Sequence, residues 1–505
     1  MHLGSVFVGG GISVSAFAAV CCGLVLSSNR QRPLEPAVYH PHAAESDSSG
    51  FSSILDSWIS EQDRYSQAHI LGNMAPLPGD PGAMPGAICA SPSRFKPDYY
   101  YTWTRDSALV MNEVLTWIEE SEASGNGTQW DLLTRMDEYV GFTKHVQGLK
   151  TRYGLAEAKY HMDGSPFTKS WCNGQTDGPA LRASVLIRYA RYLISHGRDL
   201  GNLFSSVIVR DLDYVAGVWA DNSGCDIWEE ARGLHFYTLM AQRRALAEGA
   251  QLAEHLGDRR AARIYRQEAL RISGVVGGFW SEEKKQVVTT KRWSGGLGTK
   301  ASGLDSQVLL ASLHSGMDDG VFTVESREMT ATALRLLRVF EQMYPINRVL
   351  SVQVGRSEVP VGVALGRYPE DVYNGVGTSR GNPWSLITSA MAEYHYRLGI
   401  AYARGNGVAA GKELAELILW TWQRYPAGGM AGLQPLAGND LARYLLSIGD
   451  LYMARVYLHT DRDHKMYEQW ASGNGYGRGA VHLTWSYAAH RAASRARSEL
   501  KSLVE

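Results

Sequence analysis

The 505-residue sequence has few cysteines, which excludes a fold held together mainly by disulfide bonds. Cys21 and Cys22 lie in an apolar N-terminal stretch, which leaves Cys89, Cys172 and Cys225. No pair has the CxxC spacing of a zinc site, and three cysteines form at most one bridge. Packing of a hydrophobic core must therefore supply most of the stability.

An excess of one charge is also missing, since the formal net charge is −1 and no long run of like charge occurs. A nucleic-acid binder normally carries a basic face or stripe, so no nucleic-acid partner is expected. The sequence lacks GxxxxGK(S/T), HExxH and GxSxG motifs, which removes the usual support for phosphate loops, zinc peptidases and serine hydrolases. No protein partner is indicated, and we expect a monomer.

A long apolar run covers residues 6–26. Ala16-Phe17-Ala18 supplies the small residues of a signal-peptide cleavage site, but the run is also about long enough to span a membrane. We expect residues 1–28 to be a signal peptide that leads to the cell exterior or the vacuole, with an uncleaved membrane anchor as the alternative. Residues 29–49, rich in Pro, Ser, His and Glu, are expected to form a disordered spacer.

From about residue 50 onward, apolar residues recur at spacings of three and four, which predicts helices. One helix is predicted to begin near residue 51, and twelve more at about 105–121, 129–149, 178–197, 201–220, 233–256, 258–275, 304–315, 326–345, 384–404, 411–424, 438–458 and 481–503. Strand signals are few, the best being residues 286–290 and 350–354. The sequence predicts an all-α protein with a single domain over residues 50–505.

The connections between these helices alternate in length. The long ones carry most of the Trp, Tyr, Asp and Glu outside helices, and they are residues 73–104, 150–177, 221–232, 277–303, 346–383 and 459–480. Helix pairs joined in this way predict a closed ring with all long loops at one rim, where functional residues usually lie.

One of these loops contains two glutamates beside a tryptophan, in Asp226-Ile227-Trp228-Glu229-Glu230. A carboxyl group against an apolar ring loses solvation, which raises its pKa and suits it to be a general acid. The alternative is a solvated helix start, where acidic residues are favoured by the helix dipole. The segment alone does not decide between them.

Another loop leads through Tyr99, Tyr100, Tyr101 and Trp103 into an adjacent Arg105-Asp106 pair. A guanidinium and a carboxylate suit paired sugar hydroxyls, one donating and the other accepting, although Asp106 could simply cap a helix. Similar mixtures of charge and aromatics occur at 366–371, 382–384 and 467–470. Their recurrence on one rim indicates carbohydrate recognition and acid–base hydrolysis.

These segments together resemble fungal glucoamylases, glycoside hydrolase family 15, over about residues 50–495. The resemblance is carried in order by residues 99–110, Trp171 with 177–182, 226–230, 366–371, 382–384, 468–469 and 483–487. It implies an (α/α)6 barrel, a six-hairpin toroid of twelve helices in two rings, with a thirteenth helix outside. It also implies an exo-acting hydrolase that inverts the anomeric carbon, with Glu229 as general acid and Glu468 as general base.

The resemblance further implies a blind pocket for the terminal glucose of an α-glucan, with no metal or cofactor. The residues that it assigns to the first sugar, or to its surroundings, are Tyr99, Arg105, Asp106, Trp228, Glu230, Arg367 and Trp485. Those that it assigns to the next sugar are Trp171, Tyr373 and Trp384.

Some residues depart from the family pattern. Cys172 and Asn173 stand where many fungal members have Gly-Arg, which puts the second sugar site in doubt, and Gly479 stands where a serine is common near the base. No starch-binding module is recognised, so soluble dextrins, maltooligosaccharides or glycogen are the expected substrates. Two alternatives stay open, a glucan-binding protein with little or no activity and a related inverting enzyme with another linkage preference.

Overall fold

The structure is a computed structural model that describes residues 51–221, 224–298, 300–354, 357–405, 411–425 and 438–505. The predicted signal peptide or anchor at 1–28 and the predicted spacer at 29–49 lie outside these residues. Among the described residues, no helix combines the length and the apolar character needed to cross a bilayer.

The described residues form thirteen α-helices, and each of the thirteen predicted helices is confirmed. They are α1 (Phe51–Gly72), α2 (Thr104–Ala123), α3 (Trp130–Gly148), α4 (Asp177–Ser195), α5 (Val209–Val218), α6 (Phe236–His255), α7 (Arg259–Val276), α8 (Gln307–Ser315), α9 (Arg327–Met343), α10 (Ser385–Ala403), α11 (Lys412–Arg424), α12 (Gly438–His459) and α13 (Thr484–Val504). The helix predicted at 201–220 is divided, because a π-helical segment, Leu203–Ile208, precedes α5.

Six of these helices form a closed inner ring. Each of α2, α4, α6, α8, α10 and α13 packs against the next, and α13 returns to α2. The outer helices α3, α5, α7, α9, α12 and α1 pack behind them, while α11 lies outside the rings against α9. This is the predicted (α/α)6 barrel with its extra helix.

Burial follows position in the rings. The inner helix α10 is buried along nearly its whole length, whereas the outer helix α7 buries only Ala262, Tyr265, Ala269, Ile272 and Val276. Spacings of three and four place those side chains on one face, as expected of a helix packed on one side.

In the described ranges, ten short strands connect the loops in antiparallel pairs: β1 with β2, β3 with β6, β4 with β5, β7 with β8 and β9 with β10. They are β1 (Thr102–Trp103), β2 (Lys159–Tyr160), β3 (Ala231–His235), β4 (Trp280–Ser281), β5 (Gln286–Val287), β6 (Thr290–Gly296), β7 (Ser351–Val354), β8 (Ser357–Pro360), β9 (Tyr467–Trp470) and β10 (Gly477–Val481). Both predicted strands are present, as β5 and β7.

Candidate active site

The predicted site residues lie before or at the N-terminal ends of the inner helices. Direct contacts join these segments around the ring: Arg105 donates to the Ile227 carbonyl, Trp228 to Asp305, Arg367 to Glu230, and Tyr99 to Glu468. Helix N-termini carry partial positive charge. The barrel therefore directs several positive helix ends toward one cluster of carboxylates.

The segment 226–230 forms a tight turn, and the nearest helix, α6, begins only at Phe236. Asp226 organises the turn, because its Oδ1 accepts from the backbone N–H groups of Glu230 and Ala231. Glu229 adopts a φ of 65°, a left-handed conformation that non-glycine residues adopt at a cost and that must be held by its surroundings. The helix-start interpretation of this segment is therefore wrong.

The Glu229 carboxyl faces an aromatic environment. Trp103 donates its indole N–H to Oε1 at 2.6 Å. Desolvation raises the pKa of Glu229 to about 7, while the charges of Lys159 and Arg105 and the Trp103 hydrogen bond act in the opposite direction. At a pH below this value the carboxyl carries a proton that it can donate.

Glu468 lies on β9 with no exposed surface. Its Oε1 accepts from the Tyr99 hydroxyl at 2.8 Å, and its Oε2 accepts from the Tyr373 hydroxyl at 3.1 Å and the Ala480 N–H at 3.4 Å. Desolvation raises the pKa of Glu468 to about 7, and the two phenols lower it in part. A Cβ at Gly479 would lie 2.1 Å from Oε2, so residue 479 is in direct contact with this carboxyl.

Tyr99 links the two carboxyl groups. Its ring contacts that of Trp103 at 5.6 Å between centroids, and Trp103 holds Glu229. Burial raises the pKa of the Tyr99 phenol well above its ordinary value, and the negative charges of Glu468 and of Glu229 both contribute. Both carboxyl groups are therefore close enough to act electrostatically on one hydroxyl.

The predicted Arg105-Asp106 pair lies in the first turn of α2. Buried Arg105 donates to Gln175 at 2.7 Å and Asp177 at 3.0 Å, and its Nε has no hydrogen-bond partner in the described part of the chain. Among the described residues, Asp106 accepts a hydrogen bond only from its own backbone N–H, and burial raises its pKa. The protein thus fixes the guanidinium and leaves the carboxylate open to a ligand.

A second charged group surrounds Glu230. Its two oxygens accept from Arg367 at 2.8 Å and Tyr368 at 2.6 Å. Arg367 is in turn held by Asp371 through two hydrogen bonds of 2.9 and 2.6 Å. Fully paired charges of this kind are rigid and present fixed polar atoms.

Aromatic rings form the wall between these charged groups. Trp228 lies 5.6 Å from Trp384 and 6.4 Å from Trp485, and Trp384 lies 6.3 Å from Tyr373. Trp171 stands apart from this row, 6.3 Å from Trp103. Its indole N–H and that of Trp384 are buried and have no hydrogen-bond partner among the described residues.

Several residues beside the site were not predicted from the sequence. The buried ammonium of Lys300 lies 2.5 Å from Asp226, 3.2 Å from Asp305 and 3.6 Å from Glu230. The Lys159 ammonium lies 4.1–4.7 Å from four aromatic ring centroids, those of Tyr101, Trp103, Phe167 and Trp171. Lys159 begins the two-residue strand β2 and Lys300 lies in a loop, and no spacing in the sequence distinguishes either of them from a solvated lysine.

The structure also pairs Cys172 with Cys225 and leaves Cys89 as a buried free thiol. Asn173 is buried, and its amide donates to Glu157 at 3.0 Å. At the two positions that depart from the family pattern, Cys172 therefore forms a disulfide bond, and the Asn173 amide is hydrogen-bonded within the protein.

Comparison with known proteins agrees with this geometry. The family model described as "Glycosyl hydrolases family 15" matches residues 66–494. Glucoamylase 1 of Rhizopus oryzae is 36% identical over 456 residues, with 88% of this chain and 72% of that protein covered. Glucoamylase of Blastobotrys adeninivorans is 31% identical, with 93% and 76% covered. Among solved structures, the glucoamylase from Saccharomycopsis fibuligera has a TM-score of 0.78 at 28% identity, with 93% of this chain and 99% of that chain covered.

Proposed function

The chain belongs to glycosyl hydrolases family 15 and is a glycoside hydrolase of the glucan 1,4-α-glucosidase type, which hydrolyses starch-type glucan to glucose. From that premise we propose that it removes single glucose units from the non-reducing ends of dextrins, maltooligosaccharides or glycogen. It acts on α-1,4 linkages and more slowly on α-1,6 linkages, with inversion, so that β-D-glucose is released.

The observation that carries this proposal is the unequal environment of the two glutamates, of which Glu468 is buried and Glu229 half-buried. Among the described residues, the Glu229 carboxyl accepts one hydrogen bond, from Trp103, whereas that of Glu468 accepts three, from the Tyr99 and Tyr373 hydroxyls and the Ala480 backbone N–H. Hydrogen bonds donated to a carboxylate favour its ionised form. Burial raises the pKa of both groups to about 7, so we assign the roles from the hydrogen-bond geometry. Glu468, with donors on both oxygens, is the proposed base, and Glu229, with a donor on one oxygen, is the proposed acid; an inverting hydrolase needs one of each.

The remaining polar atoms fit the terminal glucose. Asp106 accepts from sugar hydroxyls, Arg105 and Arg367 donate to them, and Glu230 is held beside Arg367 at 2.8 Å. Trp228 and Trp485 supply the apolar wall against the sugar ring. Trp171, Tyr373 and Trp384 form the site for the next sugar.

We further propose that residues 50–505 form one catalytic domain and that the chain is made on the secretory pathway. The Cys172–Cys225 disulfide supports this route, because disulfides persist in oxidising compartments. Monomeric state and membrane association through residues 6–26 stay predictions from the sequence.

The proposed reaction is tested by proton NMR of maltotriose hydrolysis in the first minutes. We expect the β-anomer of glucose to appear first and the α-anomer to follow by mutarotation. Parallel assays on maltose, isomaltose, trehalose and glycogen measure linkage preference. Initial α-glucose would contradict inversion, absence of glucose from all substrates would favour the binding-only alternative, and a preference for isomaltose or trehalose would favour the other-linkage alternative.

Because Glu229 is the proposed acid and Glu468 the proposed base, substitutions beside each of them should shift opposite limbs of the pH–rate profile. Trp103→Phe removes the donor to Glu229, so the pKa of Glu229 rises, the acid keeps its proton longer, and the alkaline limb of kcat/KM moves up by about one pH unit. Tyr373→Phe removes a donor to Glu468, so the pKa of Glu468 rises, the base ionises later, and the acidic limb moves up instead.

Each of these variants is the control for the other, because each removes the aromatic side-chain group that donates to one of the two glutamates, although Trp103→Phe also makes the ring smaller. Rates on maltose between pH 3 and pH 9 are the measurement. Movement of the same limb in both variants, or of neither, would contradict the assignment of acid and base.

A further inference from the structure

The single disulfide of the described residues joins two loops that carry different parts of the site. Cys172 directly follows Trp171, the wall of the second sugar site, and Cys225 lies four residues before Glu229. Without the bridge, the covalent path between Trp171 and Glu229 runs down and back through two helices, α4 and α5. With it, the covalent path runs from Trp171 through Cys172 and the S–S bond to Cys225 and then along the chain to Glu229.

Hydrogen bonds around the disulfide also join the loop of Trp171 to the turn that carries Glu229. The Cys225 N–H donates to the Gly174 carbonyl at 2.8 Å, and Gln175, which follows Gly174, accepts from Arg105 at 2.7 Å. Cys225 also forms an isolated β-bridge with Arg232, which closes the base of the 226–230 turn. The bridge therefore lies where the Trp171 loop and the acid turn meet.

Both joined segments need such a constraint. Glu229 holds a φ of 65°, which its surroundings must enforce. Trp171 is only half-buried, and its indole N–H makes no hydrogen bond with any residue that the structure describes. The ring of Trp171 contacts the rings of Phe167 and Trp103 and the Lys159 ammonium, and such contacts fix orientation less strongly than a covalent bond.

We infer that the Cys172–Cys225 disulfide is a positioning device that sets the acid Glu229 at a fixed separation from the Trp171 wall of the second sugar site. The inference rests on the proposed function. The two cysteines act through Glu229 and Trp171, so they are positioning residues. Because Cys172 is half-buried, a soluble dithiol can reach the bridge, and activity depends on its oxidation state.

The test uses reduction of the intact enzyme by dithiothreitol. The S–S bond takes up two electrons and two protons to give two thiols, while dithiothreitol is oxidised to its cyclic disulfide. Thiol titration verifies the reduction, and circular dichroism verifies that the helices persist. Kinetics are then measured on maltose, which occupies both sugar sites and needs the acid, and on α-D-glucopyranosyl fluoride, which occupies only the first site and has a leaving group that needs little protonation.

We expect reduction to lower kcat/KM on maltose by about 10- to 100-fold, since a misplacement of about 1 Å can cost that much. The rate on the fluoride should fall much less, and reoxidation should restore both. The alkaline limb on maltose should move to lower pH, because water that enters a loosened turn relieves the desolvation that raises the pKa of Glu229.

Two variants complete the design. Cys172→Ser/Cys225→Ser should have the kinetics of the reduced enzyme and no response to dithiothreitol, whereas Cys89→Ala should respond like the natural chain, because Cys89 is outside the bridge. Unchanged maltose kinetics after verified reduction would overturn the inference, and so would equal losses on both substrates with an unmoved pH profile. If the untreated enzyme hydrolyses neither substrate, the proposed function itself fails.

Discussion

Glu229→Gln is expected to lower kcat on maltose by about 10²–10⁴-fold, the usual contribution of a general acid or base. Glutamine keeps the shape of the side chain, and its Oε1 can still accept from the Trp103 indole N–H, which lies 2.6 Å from the Glu229 oxygen. Binding of maltotriose, measured by calorimetry, should therefore change little. The variant lacks only the proton that the leaving sugar oxygen requires.

The control for this prediction is a substrate whose leaving group needs little protonation. Fluoride departs with little help from an acid, so Glu229→Gln should retain most of its rate on α-D-glucopyranosyl fluoride. Glu282→Gln, a surface substitution with 62% of the side chain exposed, should leave both rates unchanged. A Glu229→Gln enzyme with normal turnover of maltose would reject Glu229 as the acid.

The positions of the helices could be predicted because the sequence pattern that indicates a helix is local. Apolar spacing of three and four marks outer helices such as α7, and the same spacing with additional apolar residues marks inner helices such as α10. The π-helical segment Leu203–Ile208 was not predicted, since its sequence fits an α-helix equally well. Two-residue strands such as β1 and β2 were missed because pairing partners 56 and 58 residues apart leave no local pattern.

Site residues that lie in long sequence motifs could be predicted, whereas the residues that hold them in place could not. The motif 226–230 predicts Glu229 as a site residue. The turn that holds Glu229 also involves Lys300, which lies in a different loop and contacts Asp226 at 2.5 Å. Such a contact between distant residues exists only in three dimensions. The same holds for the Cys172–Cys225 bridge, since three cysteines allow several pairings.

Glu468→Gln is the second substitution with a large expected effect, and it should differ from Glu229→Gln in its response to the leaving group. The base activates water whatever group departs, so kcat should fall by about 10²–10⁴-fold on maltose and on α-D-glucopyranosyl fluoride alike. The phenols of Tyr99 and Tyr373 donate to different oxygens of Glu468, so in the glutamine variant one phenol still donates to the amide oxygen while the other accepts from the amide NH2. Loss on maltose alone would assign Glu468 to leaving-group protonation instead.

Removing the side chain altogether tests the face from which water attacks. In Glu468→Ala, azide can enter the space of the lost carboxylate and needs no base, because it is already an anion. With α-D-glucopyranosyl fluoride, the bond from azide nitrogen to C1 should form as the C1–F bond breaks, giving β-glucosyl azide and fluoride. Since Glu468 is wholly buried, azide should raise the rate of Glu468→Ala and leave that of Glu229→Ala on maltose unchanged. Formation of α-glucosyl azide, measured by NMR, would contradict a base on the face opposite the leaving group.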